Sequence, residues 1–197
     1  MKTNMLKRSA IIGTGLVLTG LVAACSGGAS PGDATQPPNA PTETQASGPK
    51  IDAPKDAAAV DVCNLLPAEG ATAIGLKPEG ELVENMIDAE APPGCDWRTE
   101  DGTSVMLTPL SDRSLQEYYD HKSMYVDFQE LEIAGHPAVR ANEGDRMKDG
   151  FCNIFLGTKD GQVLASQTAM ISDGQTDPCD LAQKALEASV PTLPAAK

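Results

Sequence analysis

The sequence predicts an α+β domain, a largely antiparallel sheet carrying two or three packed helices. Three observations predict it. Helix-like and strand-like stretches follow in the order helix, strands, helix, strands, helix. Two Asp-Gly pairs, Asp101-Gly102 and Asp160-Gly161, each separate two β-like runs, which signals hairpins and hence antiparallel pairing. Helices interspersed with such a sheet cover one or both of its faces, which is the α+β arrangement.

The elements follow in chain order. In "VDVCNLLPAEGATAIGL", Pro67 suits a first helical turn and Gly75 a C-terminal stop. "CDWRTEDGTSVMLTPL" reads as a hairpin turning at Asp101-Gly102. "SLQEYYDHKSM" places Leu115, Tyr118, Tyr119 and Lys122 on one helical face, so this helix docks through aromatic rings. "LEIAGHPAVRA" reads as two strands around Gly135. "FCNIFLGTKDGQVLASQTAMI" repeats the hairpin pattern at Asp160-Gly161, with Cys152, Ile154 and Leu156 alternating to one side. "TDPCDLAQKALEASV" reads as a helix with Asp177 as N-cap, Pro178 at the first position and Asp180 in the first turn.

Upstream of this domain the chain reads as an export signal and a tether. "MKTNMLKR" carries Lys2, Lys7 and Arg8 and no acid, and sixteen uncharged residues follow, as in a secretory signal peptide. That uncharged run is shorter than the roughly twenty apolar residues that span a bilayer. It ends in Val22-Ala23-Ala24-Cys25, which resembles the bacterial lipobox. The resemblance implies a diacylglycerol on the Cys25 thiol and cleavage just before it, so residues 1–24 are a lipoprotein signal peptide. Two acyl chains anchor where one holds only marginally. Residues 25–57 then form a lipidated cysteine and a Pro/Ala/Gly/Thr-rich tether, too poor in apolar residues to fold. As a coil the tether spans roughly 30 Å. Residues 58–197 are the size of one domain.

Charge narrows the partners. The whole chain carries 15 basic and 28 acidic residues. Cleavage before Cys25 removes three basic residues and no acid, so the mature net charge falls from −13 to −16. Such a surface repels phosphate backbones, which excludes nucleic acid as a partner.

The chain has five cysteines, and acylation of Cys25 leaves Cys63, Cys95, Cys152 and Cys179. An even number in an exported domain reads as two disulfides. The favoured pairing is Cys63 with Cys95 and Cys152 with Cys179, each joining a helix end to a strand. Cys63 with Cys179 and Cys95 with Cys152 also fits. Zinc is disfavoured, because its cysteine ligands usually come in close C-x-x-C pairs, and no cofactor is called for.

Taken together, "DVCNLLPAEGATAIGL", "GCDWRTEDGTSVML", "LEIAGHPAV", "FCNIFLG" and "DPCDLAQKALE" resemble an actinobacterial lipoprotein family. Its shared domain is known only as a domain of unknown function, group thirty-five fifty-eight. The likeness covers about residues 58–194 together with the lipobox and tether. It implies a Gram-positive actinobacterial envelope, brings no catalytic residues, and hints at a fold similar to the Mog1/PsbP-like α+β sandwiches.

Few residues suit catalysis or metal binding. His121 reads as an exposed residue of the docking helix and His136 as a turn residue, and neither has a second ligand nearby. The acidic loops around Asp173 and Asp177, and around Glu143, Asp145 and Asp149, miss the EF-hand spacing. Trp97, two residues beyond Cys95, packs on the same side of its strand. The expectation is a non-catalytic, lipid-anchored binding or interaction module on the outer face of the cytoplasmic membrane. Its partner is an envelope protein or a small hydrophobic ligand. The alternative is an envelope hydrolase acting on wall or lipid material, with a nucleophile or paired carboxylates near one of the histidines.

Overall fold

The computed structural model of the chain describes residues 49–84, 92–171 and 173–197. Cys25, the signal segment and most of the tether lie outside the described residues. The helices are α1 (Ala68–Ala73), α2 (Leu115–Asp120), α3 (Arg146–Asp149) and α4 (Pro178–Ser189). The strands are β1 (Glu81–Val83), β2 (Gly94–Arg98), β3 (Ser104–Leu110), β4 (Asp127–Ile133), β5 (His136–Asn142), β6 (Phe151–Lys159) and β7 (Gln162–Ala169). All seven strands form one antiparallel sheet in the order β1-β2-β3-β7-β6-β5-β4. The α+β expectation holds, with the sheet dominant.

The turns follow local chemistry. Ala134 and Gly135 both take positive φ (49° and 78°), the double left-handed turn that matches strand twist in a two-residue hairpin. Asp160-Gly161 closes the β6–β7 hairpin, with a register shift between Gly157 and Lys159. Ser114 and Glu117 form a capping box at the start of α2. Asp177 caps α4 by accepting from Cys179 N at 2.9 Å, with Pro178 in the first turn.

The two sheet faces differ. On the first, α4 lays Ala182, Ala185, Leu186 and Ser189 against Trp97, Leu107, Ile154, Leu156 and Leu164, all almost fully buried. Ser166 Oγ donates to Ala182 O at 3.0 Å and ties the helix to the centre of the sheet. Two disulfides border this core. Cys63 is bonded to Cys95, tying the 3₁₀ turn Val62–Asn64 to β2, and Cys152 is bonded to Cys179, tying β6 to the start of α4. On the second face a smaller cluster of Leu110, Leu115, Tyr118, Val139, Ala141, Val163 and Ala165 packs under α2. The helix approaches closely because Gly157 has no side chain. A Cβ there would come within 2.7 Å of Leu115 Cδ1.

The packed domain starts earlier than the boundary expected at residue 58. Lys55 pairs with Ala195, Lys55 N donates to Thr158 O at 2.7 Å, and Asp56 N donates to Pro194 O at 2.9 Å. Ala57 is fully buried, and its N–H donates to Gln162 Oε1 at 2.8 Å. Backbone bonds that the polar composition of this stretch concealed therefore fix its end to the sheet.

Candidate functional site

Among the described residues the second face is only half covered. α2 is six residues long and packs over one end of the sheet, and among the described residues no other helix covers the rest of β3, β7 and β6 on this face. Strand alternation decides what they present. β3 contributes Ser104, Met106, Thr108 and Leu110, β7 contributes Ala165, Gln167 and Ala169, and β6 contributes Phe151, Asn153 and Phe155. These side chains floor a groove with two lobes. The lobe beside α2 holds about 470 Å³ and the lobe toward β1 and β2 about 490 Å³. Phe151, Asn153 and Gln167 line both.

The first lobe ends in an aromatic shelf. Tyr118 stacks on Phe155 at 4.1 Å between ring centroids, and Tyr125 stacks on Phe128 at 6.2 Å. Burial pushes the Tyr118 phenol well above its ordinary range, and the facing Arg113 guanidinium only partly offsets this. The phenol is therefore a neutral hydroxyl at any physiological pH. In mid-groove an amide row crosses the floor. Gln167 Nε2 donates to Asn153 Oδ1 at 3.0 Å, and Asn153 donates to Asn142 Oδ1 from its backbone N at 2.7 Å and from Nδ2 at 3.3 Å. Thr108 stands beside this row, buried, and its Oγ1 has no hydrogen-bond partner. Gly94 on β2 leaves the room that Thr108 Oγ1 and Met106 occupy, since a Cβ there would meet them at 2.5 and 2.8 Å. Toward the sheet edge the second lobe is lined by Met106, Ala169, Val83 and Phe151, whose ring is 57% exposed.

One rim of the groove is held by an ion-pair network. The β5–β6 connection folds into α3, capped by Asp145, whose side chain accepts from Met147 N, and closed by Gly150 at φ 72°. From α3, Arg146 Nη1 reaches Asp127 Oδ2 at 2.9 Å and Nη2 reaches Asp177 Oδ2 at 2.9 Å. Arg140 Nη2 meets Asp127 Oδ1 at 2.8 Å, and Asn142 Nδ2 meets Asp127 Oδ2 at 3.0 Å. Burial alone would raise the Asp127 carboxyl. The bonds from Arg140 and Asn142 and the charges of Arg140 and Arg146 outweigh it and hold the group below its ordinary value. At Asp177 burial is likewise outweighed, here by the bonds from Arg146 and Cys179 N. In the second lobe Asp96 is the reverse case. Burial raises its carboxyl, although Arg98 Nη2 lies 2.6 Å away.

Of the residues singled out in the sequence, Glu143 and Asp149 line the first lobe of the groove, and the histidines and the remaining loop acids fall elsewhere. His121 caps the end of α2, exposed, with Nδ1 2.8 Å from Glu117 O. His136 is buried in β5 rather than displayed at the turn, with Nδ1 3.2 Å from Gly157 O. The acids of the two loops do not converge. Asp177 pairs with Arg146, and Asp173 accepts from Gln175 N and Thr176 N. Among the described residues no group of three or more His, Cys, Asp or Glu side chains could hold a metal ion, and no helix is long and apolar enough to cross a membrane. Sequence reasoning missed the groove residues Thr108, Phe151, Asn153 and Gln167. The available signal was in β6, where Phe151 and Phe155 put aromatic rings on the phase opposite Cys152, Ile154 and Leu156. Such a strand has work on both faces.

These features define a disulfide-bridged α+β domain with one closed and one grooved sheet face. The chain belongs to the family described as "Protein of unknown function (DUF3558)", whose model matches residues 20–192. No curated protein and no solved structure matches the chain significantly.

Proposed function

We propose that this protein is a lipid-anchored lipoprotein of the actinobacterial cell envelope, acting as a non-catalytic binding module. Diacylglycerol on Cys25 holds it to the outer face of the cytoplasmic membrane, and the tether lifts the domain away from the bilayer. The domain engages a small hydrophobic ligand or an envelope protein, and no nucleic acid. The observation that supports this reading is the half-covered second sheet face. Its groove is concave, more apolar than polar on its floor, crossed by a fixed amide row, and of ligand size. The hydrolase alternative needs a nucleophile or paired carboxylates beside His121 or His136, and the Nδ1 partner of each is a backbone carbonyl.

The test is recovery of the full chain from envelope membranes in mild detergent, beside a Cys25→Ala form. The wild type is expected in the membrane fraction with a bound molecule or partner. The Cys25→Ala form is expected to leave the membrane fraction. Equal membrane retention of both forms removes the anchor. A wild-type chain that brings nothing beyond the control removes the binding role.

A further inference from the structure

The pattern of polarity along the groove narrows what it takes, given that the groove is the binding surface proposed above. The two lobes lie end to end along β3, from Leu110 to Ser104, a run of about 20 Å at roughly 3.3 Å per residue. On the floor, Tyr118 and Phe155 lie toward one end and Ala169 and Phe151 toward the other, while Met106 shares one register row with Gln167 and Asn153. The uncharged polar groups of the floor stand between those ends, and the charged side chains line its sides. The Gln167–Asn153 amide pair is fixed across the floor, and Thr108 Oγ1 is buried beside it without a partner. Among the described residues five buried side-chain polar atoms have no hydrogen-bond partner, and the hydroxyls of Thr108 and Tyr118 are the two uncompensated donors that line the first lobe. The lining charges nearly cancel. Arg113 and Arg146 face Glu143 and Asp149 in the first lobe, and Arg98 faces Asp96 and Glu84 in the second. An anionic ligand therefore gains nothing here. A flat protein partner would not fill two recesses of about 470 and 490 Å³.

We infer that the groove takes an uncharged, ester-linked lipid lying along β3, with its ester linkage at Thr108 and Gln167 and its hydrocarbon in the two lobes. The Thr108 hydroxyl donates to an ester carbonyl, and the amide row fixes that position along the groove. Met106 is the adjustable element. Its thioether lies over Gly94 next to Thr108 Oγ1, and its unbranched chain swings aside when the carbonyl arrives.

The experiment uses the full chain in phosphatidylcholine vesicles with a photoactivatable dimyristoylglycerol, and the sites of labelling are mapped by mass spectrometry. The competitors are unlabelled dimyristoylglycerol and its dialkyl ether analogue, which lacks the carbonyls. Labelling is expected on the β6 and β7 peptides, with the ester competing about tenfold better than the ether. Thr108→Val is expected to abolish that preference while leaving the melting temperature within a few degrees. Ala169→Trp, which fills the second lobe, is expected to abolish the labelling. Equal competition by ester and ether, with labelling still in the groove, overturns the ester assignment and leaves the binding face standing. Labelling outside the groove, or unchanged by Ala169→Trp, overturns both.

Discussion

Removing one disulfide at a time measures how far the fold depends on cross-linking rather than on its core. Cys63 and Cys95 are 32 residues apart, and Cys152 and Cys179 are 27 apart. In the chain-entropy account, opening loops of these lengths frees about 3.7 and 3.6 kcal/mol of denatured-state entropy at 25 °C. With an unfolding entropy near 0.3 kcal/mol per degree for a domain of roughly 145 residues, each loss lowers the melting temperature by about 12 °C. The variants are the double substitutions Cys63→Ala with Cys95→Ala, and Cys152→Ala with Cys179→Ala, followed by circular dichroism on heating. Cys95 and Cys152 are fully buried, so truncation also removes packed sulfur. Reduction of the wild-type chain with a thiol reductant leaves the side chains in place and separates the two contributions. Similar losses for the two pairs are expected because the loop lengths are nearly equal. A fall of less than about 3 °C for either pair refutes the entropic reasoning for that bridge.

Other outcomes follow from the core and the rim. Arg146→Ala breaks the links from α3 to both Asp127 and Asp177 and is expected to cost about 2 kcal/mol in urea unfolding. Arg146→Lys is expected to recover only part of this, since an ammonium cannot bridge two carboxylates as a planar fork does. Acid unfolding carries a definite sign. Asp127 and Asp177 sit below their ordinary value of 3.8 in the folded chain, so their contribution is present above that pH and is lost as pH falls through their lower folded values. Asp127→Asn should flatten that limb of the stability–pH curve, and an unchanged curve contradicts the assignment. Asp96 acts oppositely, because protonation of its raised carboxyl favours the folded state. Leu186→Ala, at a fully buried position on α4, is expected to cost about 3 kcal/mol by cavity formation, read in the same urea titration.

The sequence was most legible where local chemistry decides the outcome. Asp177-Pro178 states a helix start, Gly135 and Asp160-Gly161 state turns, and the phase of Cys152, Ile154 and Leu156 states the closed face of β6. Those elements favoured pairing each helix-end cysteine with the nearer strand cysteine but left Cys63 with Cys179 and Cys95 with Cys152 open. The remainder depended on distant parts of the chain. Lys55 to Ala57 looked like tether because their fixing partners, Thr158, Gln162 and Pro194, lie more than a hundred residues away. "NEGDRMKDG" read as a solvated acidic loop because its one-turn helix is held by Arg146 reaching Asp127 and Asp177, which no local pattern shows. The groove was hidden for the same reason. Thr108, Asn153 and Gln167 come from three strands, and only the order β3-β7-β6 sets them side by side.

Native mass spectrometry of the chain released intact from its own membranes tests the central claim most directly. The account predicts a polypeptide beginning at Cys25, heavier by a diacylglycerol, with a non-covalently bound lipid that the Ala169→Trp form lacks. A chain whose mass shows an unmodified Cys25, or identical spectra for the two forms, contradicts it.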